Sequence, residues 1–216
     1  MKIAVLGTGE VGRRLAGKLI EAGHEVTLGS RTAGNTAAVA WAAETGGRHD
    51  AFEGAAASAE LIVNATPGQV SVEALTAAGA ANLAGKVLLD VANPLDFSDG
   101  PRAVTFENGI SLAEHIQRTF PSARVVKSLC TVNNAVMADP SRVPSPHHIF
   151  VSGDDDEAKD VTKRLLGDLG WGPDQILDLG PLTTARPIEQ YVVLWVALAQ
   201  ALGTQDFNIA VQRAAG

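Results

Sequence analysis

A glycine-rich turn near the start of the chain is the clearest candidate for chemistry. The spacing G-x-G-x-x-G occurs in Gly7-Thr8-Gly9-Glu10-Val11-Gly12, directly after the apolar run at residues 2–6. In this motif the first glycine allows a tight turn, the second lets the backbone approach a pyrophosphate, and the third lets a helix lie close to a strand. Unpaired N–H groups at the start of that helix would hold the phosphates. The motif and its position therefore predict dinucleotide binding.

The residues after the second apolar run bear on which dinucleotide is bound. An NAD site usually has an acidic residue there that binds the ribose 2′-hydroxyl, whereas this chain has Gly29-Ser30-Arg31-Thr32. Arg31 can pair with a 2′-phosphate, and the hydroxyls of Ser30 and Thr32 can donate to it. The sequence thus favours NADP(H) over NAD, with a solvated loop position as the alternative for Arg31.

Three more loops are expected on the same side of the molecule. Ligands of an open α/β sheet bind beyond the carboxyl ends of its strands, and three predicted strands end in short polar segments. These segments supply the predicted cofactor contacts Ala65, Thr66, Pro67, Asn93, Pro94, Cys130 and Thr131. Small side chains and backbone amides suit a flat nicotinamide ring, although each prolyl turn taken singly also fits plain loop punctuation.

Alternating apolar strands and amphipathic helices must position these loops. Strands are predicted at 2–6, 25–29, 61–65, 86–90, 124–127, 148–152 and 175–178, and helices at 11–22, 36–45, 111–119, 155–169 and 188–202. This alternation predicts an α/β fold of the Rossmann type, a doubly wound and mostly parallel sheet. We expect an NADP-binding domain at 1–180 and a small helical extension at 181–216.

The helix predicted at 188–202 is apolar nearly all round. Such a helix must be covered on most sides. Three explanations compete: burial inside the monomer, a seam between two copies of the chain, or a wall of the active-site cleft. The first two are favoured, and we expect a homodimer.

Composition excludes several classes of protein. The chain has 216 residues, a formal net charge of −7 and 46% hydrophobic residues, which argues against nucleic acid or an anionic membrane as partner and against a disordered chain. The single cysteine excludes an intramolecular disulfide and a multi-cysteine zinc site. The longest apolar stretch, 191–202, is shorter than the roughly 20 residues of a membrane span. A globular cytoplasmic protein is expected.

Several other polar residues could do chemistry, but each has a simpler structural explanation. Neighbouring histidines at 147 and 148 point to opposite faces of a strand and chelate a metal poorly. The acidic run 154–157 stands where a helix begins and is expected to cap it. Cys130 has no His-plus-acid partner visible in the sequence, which argues against a nucleophile. We therefore predict neither a metal site nor a catalytic side chain.

Two cations and one carboxylate near the C-terminal half are open to more than one interpretation. Glu189 and Arg186 stand one helical turn apart, which favours a local ion pair over an acid/base couple. Alternatively, Arg186 and Lys127 could hold an anionic tail of an electron acceptor.

A set of motifs along nearly the whole chain resembles one family. It comprises the glycine motif at residue 7, Ser30-Arg31, Asn64-Ala65-Thr66-Pro67, Asn93-Pro94, Val136-Met137-Ala138-Asp139-Pro140, Leu177-Asp178-Leu179-Gly180, Thr184-Ala185-Arg186, Glu189, and Gly203-Thr204 to Asn208. Together they resemble the NADPH-dependent coenzyme F420 reductases, whose relatives include the reductase domain of the STEAP metalloreductases. Relatives that bind the 2′-phosphate firmly also carry a Lys or Arg a few residues after Arg31, where this chain has residues 33–36 without a cation.

The resemblance implies an often dimeric oxidoreductase that passes hydride between NADP(H) and a small-molecule acceptor, coenzyme F420 or a flavin. Such chemistry needs few side chains, because the cofactors supply the reactive centres. Two alternatives remain open. An NADP-linked reductase of imines or hydroxy acids would usually need a long helical second domain, and only 36 residues follow Gly180. A non-enzymatic sensor that binds NADP(H) would show no turnover.

Overall fold

The computed structural model describes residues 1–214 except 97, 99, 101, 105, 107, 108 and 145. Its strands are β1 (Lys2–Leu6), β2 (Glu25–Ser30), β3 (Arg48–Ala51), β4 (Leu61–Asn64), β5 (Val87–Asp90), β6 (Leu95–Asp96), β7 (Arg102–Ala103), β8 (Arg124–Lys127), β9 (Ile149–Gly153) and β10 (Ile176–Asp178). Its helices are α1 (Glu10–Glu21), α2 (Thr36–Thr45), α3 (Phe52–Ser58), α4 (Ser71–Ala78), α5 (Ala80–Leu83), α6 (Leu112–Thr119), α7 (Asn134–Ala138), α8 (Asp156–Asp168) and α9 (Ala185–Leu202).

Eight strands form one sheet, in the order β10-β9-β8-β5-β4-β1-β2-β3. All neighbouring pairs are parallel except β8 and β9. The segment β3-β2-β1-β4-β5-β8 has the strand order of a dinucleotide-binding Rossmann sheet. In such a sheet the order in which successive strands are added reverses between β1 and β4, while the strands themselves stay parallel. The prediction of a Rossmann-type, mostly parallel sheet is confirmed. β6 and β7 pair separately as a short antiparallel ribbon.

Both faces of the sheet are covered, which explains why its strands are apolar without alternation. In β1, Ile3 and Val5 belong to the apolar layer shared with α1, α2, α7 and α8. Ala4 and Leu6 belong to the layer on the other face, shared with α3, α4, α5 and α6. All four side chains are at most 1% exposed. Burial of each of the larger side chains, Ile3, Val5 and Leu6, stabilises the fold by about 1.5–3 kcal/mol. The loops of the site therefore extend from a well-packed sheet.

Several short elements were not predicted from the sequence. β3 reads Arg-His-Asp-Ala and lies at the edge of the sheet, where polar side chains remain accessible to solvent. Helices α3, α4 and α5 are rich in alanine, so their faces differ little in hydropathy and the helical period is weak. By contrast, the predicted bounds of α2 and β8 agree with the structure.

The C-terminal helix α9 begins three residues earlier than predicted and is only half covered. Its first turns bury Ala185, Ile188, Glu189 and Val192. Further along, Val193, Leu194 and Leu202 are exposed, Leu194 to 55%. The expectation that this helix is buried inside the monomer is therefore wrong for its second half.

Among the described residues, no helix is both long enough and apolar enough to cross a membrane.

Candidate functional site

The glycine-rich turn connects three strands at their carboxyl ends. Gly7 follows β1 with a φ of +119°, a backbone conformation that residues other than glycine rarely adopt. Its N–H donates to the Gly29 carbonyl at the end of β2, 2.9 Å away. A Cβ at Gly7 would lie 2.5 Å from the Ala65 carbonyl oxygen after β4. Only glycine lets the chain turn here in contact with both neighbouring strands.

The other two glycines of the motif have contrasting surroundings. A Cβ at Gly12 would lie 1.9 Å from the Gly7 carbonyl oxygen, so α1 can pack on the turn only without a side chain there. A Cβ at Gly9 would meet no described heavy atom within 4 Å. Gly9 is the N-cap residue of α1, and the first N–H groups of a helix lack intrahelical partners. The space over Gly9 therefore suits an anion such as a pyrophosphate.

A cavity of about 770 Å³ opens over this turn, within the range of roughly 300–1,000 Å³ typical of small-molecule sites. Eleven of the sixteen predicted cofactor contacts line it: Gly7, Thr8, Gly9, Glu10, Val11, Ser30, Arg31, Ala65, Thr66, Pro67 and Asn93. The five that are absent from the described lining are Gly12, Thr32, Pro94, Cys130 and Thr131.

The cavity also contains residues that were not predicted to contact the cofactor. They are Asn35, Phe52, Val70, Glu73, Ala74, Ala77, Val91, Ala92, Leu95, Asn134 and Met137. Most are apolar and stand on the α3–α4 side or in the loop after β5, where an apolar side chain looks like ordinary core. Two of them carried a signal in the sequence. Met137 belongs to a motif of the family resemblance, and an asparagine before an alanine-rich run, such as Asn35, is typical of a helix N-cap.

The end of β2 carries the residues expected to distinguish NADP from NAD. Arg31 is exposed at the rim of the cavity, with Asn35 close by in its lining. Asn35 caps α2 by accepting a hydrogen bond from Ala38 N at 3.1 Å. Ser30 Oγ donates to the Thr32 carbonyl at 2.6 Å. In this conformation the Ser30 hydroxyl already donates within the loop, which leaves the Arg31 guanidinium and the Thr32 hydroxyl as the predicted donors to a phosphate at this end.

Below the cavity, a buried hydrogen-bond network joins the loops after β4 and β5. Asn64 Nδ2 donates to Asp90 Oδ1 at 2.8 Å and to Ser71 Oγ at 3.0 Å. Asn64 Oδ1 accepts from the Thr66 hydroxyl at 2.7 Å and from Thr66 N at 3.3 Å. All four residues are buried. This satisfied network fixes the backbone of the Thr66 loop at the cavity wall.

Lys127, at the end of β8, lies at the centre of a buried ionic cluster. Its ammonium group is 2.8 Å from Asp90 Oδ2 and 3.0 Å from Glu189 Oε1, with its side chain fully buried. Burial alone would lower the pKa of Lys127, but the carboxylates of Asp90 and Glu189 raise it above its ordinary value. Lys127 is therefore charged and inaccessible, so the alternative that it holds an acceptor's tail is wrong.

The expected ion pair between Glu189 and Arg186 is also wrong. Glu189 turns inward, where its oxygens accept from Leu112 N at 2.8 Å and Ala113 N at 3.2 Å. Arg186 instead makes a bidentate pair with Glu114, at 2.7 Å for each nitrogen. Both carboxylates thus fasten α9 to the first turn of α6, and a partner distant in the sequence has displaced the local one.

The remaining polar candidates have structural partners. Cys130 is buried, and burial raises the pKa of its thiol to about 12; its carbonyl accepts from Asn93 Nδ2 at 2.6 Å. His147 Nε2 lies 3.1 Å from the Pro140 carbonyl. Asp155 caps α8 by accepting from Ala158 N at 2.8 Å, which confirms the interpretation of the acidic run as a helix cap.

Comparison with known proteins agrees with this arrangement. Residues 2–94 match the family model described as NADP oxidoreductase, coenzyme F420-dependent. The F420-dependent NADP reductase of Methanothermobacter thermautotrophicus is 31% identical over 210 residues, which cover 92% of this chain and 89% of that protein. The metalloreductase STEAP3 of Rattus norvegicus is 29% identical over 191 residues, which cover 87% of this chain but 36% of the rat protein.

Solved structures extend the comparison to three dimensions. A candidate F420-dependent NADP reductase from Arthrobacter sp. FB24 is 50% identical, with a TM-score of 0.91 and with 99% of this chain and 100% of that chain covered. Solved imine reductases are 20–24% identical, which shows a shared fold alone. Because a relative more than 30% identical extends over nearly the whole chain, the chain belongs to the family of F420-dependent NADP oxidoreductases.

Proposed function

We propose that this protein transfers hydride between NADP(H) and a deazaflavin, coenzyme F420, with a flavin as the second choice of acceptor. The observation that carries the proposal is the open space over Gly9, at the start of α1 and beside a cavity of about 770 Å³. A dinucleotide needs this combination of a bare helix N-terminus and an adjacent apolar cleft. The relative from Methanothermobacter, with 89% of its length covered, supports F420 as the acceptor.

The residues proposed to hold NADP(H) divide by the part of the cofactor they serve. The turn at residues 7–11 would bind the pyrophosphate, and Arg31 would bind the 2′-phosphate. Thr66, Pro67 and Asn93, at the ends of β4 and β5, would flank the nicotinamide. The bound cofactor supplies a transferable hydride at its nicotinamide ring. The protein's part is to hold that ring flat against the acceptor and to exclude water.

The five predicted residues outside the described cavity lining would support the residues that line it. Gly12 lets α1 approach the turn, and the Thr32 carbonyl accepts from Ser30. The Cys130 carbonyl holds the amide of Asn93. Pro94 and Thr131 continue the loops that carry Asn93 and Cys130. None of these contacts moves a proton, consistent with direct transfer between two rings.

We further propose that residues 1–180 form the NADP-binding domain and that 181–216 form an extension which pairs with a second copy of the chain. The exposed apolar residues Val193 and Leu194 on α9 support such a contact, since monomers seldom leave a long apolar helix face in water. The buried thiol of Cys130 and the use of NADPH fit the reducing cytoplasm as the place of action.

The test is oxidation of NADPH by a panel of acceptors: F420, FMN, FAD, a ferric chelate and simple imines. We expect turnover with F420 and slower turnover with flavins, and loss of both in the Gly9→Val variant. Turnover confined to imines would replace the proposal with the imine reductase alternative. Tight binding of NADPH without oxidation by any acceptor would favour the sensor.

A further inference from the structure

The buried ionic cluster of Lys127, Asp90 and Glu189 is hydrogen-bonded to a loop that lines the cavity, and the proposed function assigns no role to this contact. Besides the two carboxylates, the Lys127 ammonium donates to the carbonyl oxygen of Ala92. Ala92 and the next residue, Asn93, both line the cavity. One buried cation therefore holds the backbone of the loop that would lie beside the nicotinamide.

Asp90 extends this hold to a second cavity loop. While its Oδ2 faces Lys127, its Oδ1 accepts from Ala92 N at 3.2 Å and from Asn64 Nδ2 at 2.8 Å. The same Asn64 side chain fixes both polar groups of Thr66. The loops after β4 and β5 are thus joined through a chain of buried hydrogen bonds that ends at Lys127.

Glu189 connects Lys127 to a different part of the molecule. It stands on α9, where its two oxygens also accept from the N–H groups of Leu112 and Ala113 at the start of α6. A carboxylate at a helix N-terminus is held by the free N–H groups and by the helix dipole. Glu189 is therefore fixed independently of the cavity, and its position determines where the Lys127 ammonium can lie.

We propose that Lys127 is a positioning residue that sets the backbone of Ala92 and Asn93 against the nicotinamide ring, and that Glu189 sets the position of Lys127. The proposal rests on the proposed use of NADP(H). It differs from a purely structural role, in which the cluster would stabilise the fold without affecting the geometry of the cavity. The two roles can be separated because the chain contains a matched second clamp.

That second clamp is the pair of Glu114 and Arg186. Like Glu189, Glu114 is buried and joins α9 to the first turn of α6, where it also accepts from Ser111 N and Oγ at 2.9 Å. Unlike Glu189, Glu114 forms no hydrogen bond or ion pair with Lys127 or with a cavity loop among the described residues. Glu114→Gln therefore weakens the attachment of α9 while leaving the Lys127 cluster intact.

The experiment compares Glu189→Gln with Glu114→Gln. In Glu189→Gln, the new amide group would turn a donor toward either the Lys127 ammonium or the α6 N–H groups, so Lys127 shifts and the Ala92 loop shifts with it. The measured quantity is the rate of single-turnover hydride transfer from saturating NADPH to coenzyme F420. We expect this rate to be at least tenfold lower in Glu189→Gln than in the unmodified protein, and to stay within twofold of it in Glu114→Gln. Equal effects of the two substitutions, or an effect below twofold for Glu189→Gln, would overturn the proposal.

A second measurement needs no cofactor. Because the Ala92 N–H donates to Asp90, its hydrogen exchange reports on the geometry of the loop directly. We expect exchange at Ala92 to rise at least tenfold in Glu189→Gln and to be unchanged in Glu114→Gln. If the unmodified protein fails to bind NADPH, the proposed function is wrong, and the exchange data still decide whether Glu189 positions the loop.

Should Glu189→Gln not fold, the comparison is repeated with Glu189→Asp and Glu114→Asp. Glu189→Asp keeps the charge but withdraws the carboxylate by one methylene group. We expect Glu189→Asp to slow hydride transfer and to raise exchange at Ala92 more than Glu114→Asp does, although both changes should be smaller than those in Glu189→Gln. Unchanged exchange at Ala92 in Glu189→Asp, together with normal transfer, would show that Lys127 does not depend on Glu189.

Discussion

A methyl group on Gly12 would lie 1.9 Å from the carbonyl oxygen of Gly7, whereas one on Gly9 would meet no described atom within 4 Å. Two glycines of one short motif are therefore required for different reasons. Gly12 is needed for the protein to fold with α1 packed on the turn. Gly9 is needed to leave room for something that the chain itself does not supply.

This contrast predicts opposite outcomes for two substitutions. Gly12→Ala should lower the free energy of unfolding by about 1–3 kcal/mol or more, the usual cost of overpacking. Gly9→Val should lower that free energy by no more than about 1 kcal/mol, the cost of a poorer helix N-cap, and abolish NADPH binding, because its side chain would fill the space proposed for the pyrophosphate. Denaturant unfolding and NADPH titration of both variants measure the two effects. Normal NADPH binding by Gly9→Val would place the phosphates elsewhere.

Arg31 should determine the preference for NADPH over NADH. A hydrogen bond to a charged group contributes roughly 1.5–3 kcal/mol, so Arg31→Ala should weaken NADPH binding about ten- to a hundredfold and leave NADH binding nearly unchanged. Arg48→Ala is the matched control, since Arg48 is an exposed cation on neighbouring β3 and is not among the residues that line the cavity. Equal affinity of the unmodified protein for the two cofactors would contradict the assignment.

The features that were predicted correctly depend on residues close together in the sequence. The glycine motif, the cap at Asp155 and the bounds of α2 and β8 each follow from a local pattern. The buried cluster does not, because Lys127 and Glu189 stand 62 positions apart. Helical spacing instead suggested a pair between Glu189 and Arg186, and tertiary packing overrode it. The packing of α9 against the loops and strands of the sheet decides which charged side chains meet, and no local sequence pattern encodes that packing.

The exposed part of α9 should form a contact between two copies of the chain. Leu194 is 55% exposed and Val193 41%, and a buried carboxylate at either position would be unpaired in a dimer. We expect the unmodified protein to be a dimer by light scattering at micromolar concentration, and Leu194→Asp to be monomeric or insoluble. Val39→Asp provides the control, because Val39 is an equally apolar exposed residue on α2. A monomeric unmodified protein would refute the contact.

Cys130 should be chemically silent in the folded protein. Burial raises the pKa of its thiol to about 12, so almost no thiolate is present near neutral pH, and the thiolate is the reactive form. We expect iodoacetamide to label Cys130 in denaturant but only slowly in the native protein, and Cys130→Ala to lower turnover by less than about a hundredfold, below the upper range for loss of an acid or base. Rapid native labelling at pH 7, or loss of hydride transfer in a variant that still binds NADPH, would make Cys130 part of the chemistry.

The pair of Arg124 and Asp155 should make stability depend on pH in the acidic range. The side-chain hydrogen bond from Arg124 lowers the pKa of Asp155 below its ordinary value, at 2.9 Å from Nε to Oδ2. An acid with a depressed pKa in the folded state stabilises the fold above its unfolded pKa, and that contribution is lost as the pH falls through the folded value. Stability should therefore decline below about pH 4, near the unfolded pKa of an aspartate. The decline should be modest, because Asp155 is partly exposed to solvent.

Arg124→Met removes the cause of this shift and so isolates it. The difference in the free energy of unfolding between the unmodified protein and Arg124→Met should be constant from pH 5 to 7, shrink as the pH falls below about 4, and be smallest below the folded pKa of Asp155. Lys18→Met is the control, because Lys18 pairs at 3.1 Å with Glu21, which is 70% exposed, so solvent screens the pair and it contributes little to stability. Denaturant unfolding from pH 2 to 7 measures all three proteins. If the curves for the unmodified protein and Arg124→Met stay parallel across that range, Asp155 is not held in its ionised form by Arg124.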